Sequence, residues 1–230
     1  MSILLQVHVF RFFIAAFLLT VAGLPCSVQA GMVARLGGLA VYDNVSGLTW
    51  LANANVFDGQ GSGSFTDGRF NYADALIKVA SLNVAGVTGW RLPIAVEVDS
   101  NCSNQEIGAG ISTGYNCINS EMGDLFYRAL GGEAHKQISE QHNANYNLFT
   151  NVLNGYWYST PYKNDPTAYA WLFGFGDGSQ NIHPKSFVLN IWPVIDGDVG
   201  GGGIPEPDIL GLFGIGSVMA WAFTKRKRLG

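Results

Sequence analysis

Glycine is the residue that most limits what this chain can fold into. Between residues 31 and 203 it recurs singly and in clusters, at 59–68, 86–89, 108–114, 131–132 and 174–178. No apolar run in that stretch is long enough to span a membrane, and no repeat is visible. Glycine weakens the interior of a helix or strand and relaxes the turns between them. The chain is therefore expected to build its core from short elements joined by many turns.

The segments between glycines can be read individually. LAVYDNVSGLTWLAN (39–53) predicts two extended pieces joined at Asn44–Gly47, with Leu39, Val41, Leu48, Trp50 and Leu51 buried. NYADALIKVASLNV (71–84) places Tyr72, Ala75, Leu76, Val79 and Leu82 at helical spacing. In GWRLP (89–93), Pro93 pushes its predecessor toward an extended conformation. NSEMGDLFYRALGG (119–132) predicts a second helix, with Ser120 at its N-cap and Met122, Leu125, Phe126 and Leu130 on its buried face. Residues 133–154 are polar and read as irregular or partly helical. YWYST (156–160), AYAWLFGF (168–175) and SFVLNIWPV (186–194) read as strands, the last two joined through GDGSQN (176–181). Two main helices and several short antiparallel strands predict a single compact α+β domain over 31–199.

The two ends differ from this middle. Arg11 followed by the apolar run Phe12–Leu24 and then Val28-Gln29-Ala30 has the form of a signal peptide, 1–30. Its run of about 13 residues is short of the roughly 20 that cross a bilayer. Pro25 directly before Cys26 argues against lipidation. Gly200–Gly203 reads as part of a flexible linker, 200–204. Beyond it, residues 205–230 hold Pro205-Glu206-Pro207, an apolar stretch from Ile209 to Phe223, and the basic cluster Lys225, Arg226, Lys227 and Arg228. As a helix that stretch reaches about 23 Å against a hydrocarbon core of about 30 Å, so it spans only with help from its flanks. The cluster is expected to stay cytoplasmic. With these ends set aside, the middle has eight lysines and arginines against fifteen aspartates and glutamates, a net −7. An acidic domain without a basic patch is unsuited to nucleic-acid phosphates.

The middle keeps two cysteines, Cys102 and Cys117, and in an oxidising compartment these are expected to pair as a disulfide. His135 and His142 have no partner spacing that completes a zinc site, and His183 precedes Pro184 in a loop; no metal ligand set is assigned. DGQGSGSFTDG (58–68) and DGD (196–198) are oxygen-rich, leaving a calcium ion as the alternative to a plain turn; no other cofactor is implied. Trp50, Trp90, Trp157, Trp171 and Trp192 read as core. Alternation in the strands leaves one aromatic face as a candidate sugar-stacking surface, with Tyr156, Tyr158, Tyr162 and Tyr169 as its residues. No nucleophile with a base in reach can be assembled.

Taken in order, DNVSGLTWL (43–51), GWRLP (89–93), YWYST (156–160) and WPV (192–194) resemble the domain at the C-terminus of the Legionella collagen-like adhesin. That family runs D-x-x-T-G-L-x-W, G-W-R-L-P-T, Y-W-S-S-T and V-R-P-V. The chain departs from it at Ile94, where the family has Thr, and at Trp192, where it has Arg. YNCINSEMGDLFY (115–127) resembles a subgroup that carries the same tail. GWRLP is also similar to a segment of formylglycine-generating enzymes, which implies a C-type-lectin-like fold but not their chemistry, since that requires free cysteines. The tail resembles the PEP-CTERM sorting signal, which implies processing by an exosortase-type enzyme after signal peptidase has removed 1–30.

The resemblances imply a non-enzymatic protein exported across the inner membrane of a Gram-negative bacterium. It would be held transiently in that membrane through 209–223, then released to the cell surface or beyond. Its expected partner is an exopolysaccharide or another envelope component. A structural biofilm-matrix protein that binds no glycan is the first alternative, and an enzyme the second.

Overall fold

A computed structural model describes residues 31–200. The signal peptide, the linker beyond Gly200, Pro205, Glu206, Pro207, the 209–223 stretch and Lys225–Arg228 lie outside the described residues.

Short strands carry most of the fold. β1 (Met32–Arg35), β2 (Ala40–Asp43), β3 (Leu48–Leu51) and β11 (Val194–Asp196) form one antiparallel sheet in the order β1-β2-β3-β11. The second sheet runs β4-β10-β7-β8-β9, from β4 (Arg69–Phe70), β10 (Leu189–Asn190), β7 (Gly155–Pro161), β8 (Tyr169–Gly174) and β9 (Ser179–Pro184). β5 (Asn104–Glu106) and β6 (Ile111–Thr113) make a separate hairpin. The helices are α1 (Tyr72–Ala80) and α2 (Glu121–Asp124), the latter continued by a π-helical turn over Leu125–Ala129. A 3-10 turn occupies Ala144–Leu148 within the polar segment. The described residues form a compact α+β unit. Among them no helix is long and apolar enough to cross a membrane.

The five-stranded sheet is buried on both faces. Tyr156 and Tyr158 of β7, with Trp171 and Phe173 of β8, pack against Met122, Leu125 and Phe126. Trp157, Ala170 and Leu172 pack on the other side against Tyr72, Ala75 and Val79 of α1. A central strand buried on both faces has no exposed aromatic side, so Tyr156 and Tyr158 are not surface residues as expected; both are 0% exposed. Each of the five tryptophans among the described residues is core, at most 2% exposed. Trp90, Trp157, Trp171 and Trp192 each donate the indole N–H to a partner inside the fold.

Several element boundaries differ from expectation. β8 pairs with Ser179–Pro184 in register Gly174↔Ser179, so the connection is four residues and lies earlier than predicted. Residues 186–194 are not one strand. β10 adds to the larger sheet, pairing with β7 in parallel, and the chain then crosses to the smaller sheet as β11. Pro193 sits at this crossing; it has no N–H for a ladder, and its carbonyl accepts from Leu51 N at 3.0 Å. Leu39, expected in the core, is 52% exposed beside the turn before β2. Ser120 does occupy the N-cap position, but its hydroxyl accepts from Val96 N instead of capping the helix.

Cys102 and Cys117 form the expected disulfide, with a Cα–Cα distance of 4.4 Å. The loop it closes is clasped by Asp99, which is fully buried. Its carboxylate accepts from the backbone and side-chain N–H groups of both Asn101 and Asn119 at 2.8–2.9 Å. A carboxylate satisfied four times by short bonds is stable in the interior.

Candidate functional site

Where β7 begins, four segments surround an open cleft of about 650 Å³. Asn55, Asp58, Asp67 and Arg69 come from the glycine-rich loop and β4; Gln137 and Ser139 come from the polar segment. Val152–Gly155 and Val188–Asn190 complete the lining. The loop is held by local bonds. Asn55 N donates to Asn53 Oδ1 at 3.0 Å, and Gly68 N to Gln60 O at 2.8 Å. Gly68 has φ +83°, and a Cβ there would collide with Asn55 Oδ1. The asparagine can therefore pack against this backbone only because residue 68 has no side chain.

Asn190 is held from the other side. β10 lies between β4 and β7, in register with Arg69 and Tyr156, and Asn190 Nδ2 donates to Gly155 O at 3.0 Å. Asn55 and Asn190 are 8% and 6% exposed, yet their Oδ1 atoms have no hydrogen-bond partner. Among the described residues five buried side-chain polar atoms are in this state, and two of them belong to this one cleft. An unsatisfied buried acceptor costs about 1–3 kcal/mol.

The rim is polar and electrically quiet. Arg69, the cleft's one cation, is paired with Asp67 at 2.7 Å and lies over the Phe65 ring at 4.4 Å. This pairing lowers the Asp67 carboxyl below its ordinary value and raises the Arg69 guanidinium. Gln137, Ser139 and Asn154 spend no side-chain group on bonds within the described structure. Val152, Leu153, Val188 and Leu189 supply an apolar part. Free amide and hydroxyl groups beside a patch of aliphatic carbon suit a ligand with hydroxyls on one edge and C–H groups on a face.

The candidate tyrosines are elsewhere. Tyr162 and Tyr169 pack edge-to-face at 6.5 Å beyond the far end of β7, and Tyr162 also meets Trp171 at 6.3 Å. A seven-residue strand separates them from the cleft by about 20 Å. Tyr169 is 37% exposed, so this pair is the part of the expected aromatic surface that remains accessible.

A second cleft, of about 480 Å³, lies beside α2 and includes Ser46, Asn119, Glu121, Asp124, Arg128 and Asp196. Its charges are committed to one another. Arg91 pairs with Glu121 at 2.8 Å and with Asp196 at 2.6 Å, and Arg128 pairs with Asp124 at 2.9 Å. Partial burial opposes the charge on Arg91, but the bonds from Glu121 and Asp196 outweigh it, so the guanidinium stays protonated above its ordinary range. Among the described residues no three or more His, Cys, Asp or Glu side chains are grouped to hold a metal ion.

The family model of the Lcl C-terminal domain matches residues 39–195. The chain belongs to the Lcl C-terminal domain family. The matched span runs from just before β2 into β11, so it takes in the five-stranded sheet, both helices, the cleft at β7, and all of the smaller sheet and the second cleft except β1 and Asp196. No curated protein and no solved structure matches the chain. Within the Lcl domain, the arginine of GWRLP is Arg91, the residue that joins β11 to α2. Trp192, at the position where the resemblance has an arginine, is fully buried. It packs on Trp50 at 5.8 Å and donates to Leu51 O at 2.9 Å, so the core here has an indole and no charge to satisfy.

Asn55 and Asn190 were not singled out from the sequence. Isolated asparagines beside glycines and strand ends look like turn residues, and no spacing links positions 55 and 190.

Proposed function

We propose that this protein is exported and works at the cell surface or in the extracellular matrix, where its Lcl domain binds uncharged polysaccharide without chemical turnover. The observation that carries this reading is the Lcl match across 39–195, the domain that closes a bacterial collagen-like adhesin. The signal-like N-terminus and the Pro-Glu-Pro, apolar and basic tail support export and sorting by an exosortase-type enzyme. Two helices on opposite faces of a sheet, with a disulfide-closed loop, are compatible with the C-type-lectin-like reading.

Binding without turnover is supported by the state of the reactive groups. Cys102 and Cys117 are consumed in the disulfide, and the carboxylates of the α2 cleft are paired with arginines. The net charge of −7 over residues 31–203 and the paired Arg69 favour neutral chains over sulfated ones.

Pull-down of the full-length protein in mild detergent, with neutral and sulfated polysaccharides, tests the reading. Saturable retention on neutral chains is expected; uniform absence of retention would favour a structural matrix role. Mass spectrometry of fractionated cells tests the route. Loss of 1–30 and of the segment after Pro-Glu-Pro supports sorting, while a retained 209–230 supports a permanent anchor.

A further inference from the structure

We propose that the cleft at the start of β7 binds a single neutral sugar unit, with Asn190 Oδ1 accepting a hydrogen bond from one of its hydroxyls. This inference rests on the polysaccharide reading above and gives it a site.

The free oxygen of Asn190 defines what the ligand must offer. It is an acceptor without a donor, on a side chain more than nine-tenths buried in the lining of the cleft. The other end of its amide is committed: Nδ2 donates to Gly155 O at 3.0 Å. Turning the amide over would break that bond, so the missing partner is a donor supplied from the cleft. Asn55 Oδ1 is set against Gly68, where a Cβ would collide with it, and takes no part. The Asn190 oxygen is not open to water as the cleft stands, so access takes a small rotation of the side chain as the hydroxyl enters.

The surroundings narrow the class of ligand. An anion would find no unpaired cation, because Arg69 is held by Asp67. A planar hydrophobe would bury Gln137, Ser139 and Asn154 without partners. A sugar ring satisfies both sets of groups: its hydroxyls donate to Asn190 and accept from the rim, and its C–H face rests on Val188 and Leu189. No metal bridges the contact in this arrangement, so binding is independent of calcium.

The test is a titration of the full-length protein in mild detergent, by heteronuclear NMR or calorimetry. The probes are neutral glucan, mannan and galactan oligosaccharides, with dextran sulfate as the charged comparison. At least one neutral probe should bind saturably, at least tenfold more tightly than dextran sulfate, and equally well with a calcium chelator present. Asn190→Ala should weaken binding at least tenfold. Because that variant removes a buried bond, the exposed double variant Gln137→Ala/Ser139→Ala serves as the independent measure and should weaken binding several-fold with an unchanged melting temperature. If neutral chains bind but the folded double variant and Asn190→Ala bind as tightly as the parent, the site is elsewhere and this inference fails while the polysaccharide reading stands. Absence of binding to every neutral probe sinks both. Loss of binding on chelation overturns direct recognition by the amides.

Discussion

Arg91 and Glu121 form a two-pronged ion pair, Nη1 to Oε2 and Nη2 to Oε1, each at 2.8 Å. Glu121 Oε2 also accepts from Ile94 N at 2.7 Å, and Arg91 Nη2 reaches Asp196 at 2.6 Å. One arginine thus ties the GWRLP turn to the start of α2 and to the last strand. With 25% and 19% of the two side chains exposed, the pair is shielded enough to matter. Arg91→Ala is expected to lower unfolding stability by about 2 kcal/mol, less than a fully buried pair would lose. Arg91→Lys should recover under half of that, since an ammonium cannot make the parallel pair of bonds. Urea denaturation of the three proteins checks both values.

Acidification acts through the same cluster. Hydrogen bonding to Arg91 lowers the folded Asp196 carboxyl below its ordinary 3.8. Arg35 does the same for Asp198. When the folded pKa lies below the unfolded one, the unfolded chain takes up protons first as pH falls. The stabilisation is therefore complete well above pH 3.8 and is lost progressively below it. Asp196 is 78% exposed, so its share is small. Asp196→Asn should flatten the fall in melting temperature below about pH 4 and leave a residual slope from Asp198. An unchanged slope would count against the pairing.

The Cys102–Cys117 disulfide closes a loop of sequence separation 15. Its removal by Cys102→Ser/Cys117→Ser should cost roughly 3 kcal/mol on the loop-entropy model. Reduction of the parent with dithiothreitol should reproduce the shift in the denaturation midpoint. The double variant should not respond to the reductant.

Gly68→Ala tests the floor of the polar cleft. The substitution places a Cβ against Asn55 Oδ1 at a backbone φ of +83°, so strain and collision act together. A loss of about 2 kcal/mol or more is expected, with amide resonances of Asn55 and Asn190 shifted in NMR spectra. Gly59→Ala is the control: it shares a positive φ but meets nothing within 4 Å. Its loss should be near 1 kcal/mol, the backbone cost alone.

Local pattern was readable wherever neighbours in sequence make the contacts. Residues 39–53 gave away the β2–β3 hairpin because its strands pair across a four-residue turn. The face Tyr72, Ala75, Val79 of α1 followed from helical spacing, and the disulfide from there being two cysteines in the middle. The tryptophans in the motifs were legible as core because their bulk and their glycine flanks leave them little use elsewhere. Residues 186–194 misled because an alternating apolar stretch looks alike whether it serves one sheet or crosses between two.

From its sequence alone this protein was determined to be an α+β domain of short elements with one disulfide, resembling the Lcl family. Glycine spacing, hydrophobic period and cysteine count all act over a few residues, and the motifs are read in order along the chain. Only the tertiary structure decided which aromatic faces are buried and where unused polar groups collect. Tyr156 and Tyr158 lie inside because layers pack on both sides of β7. Asn55 and Asn190 share a cleft because β10 inserts between β4 and β7. Both outcomes depend on contacts between residues far apart in sequence, and no local period encodes those.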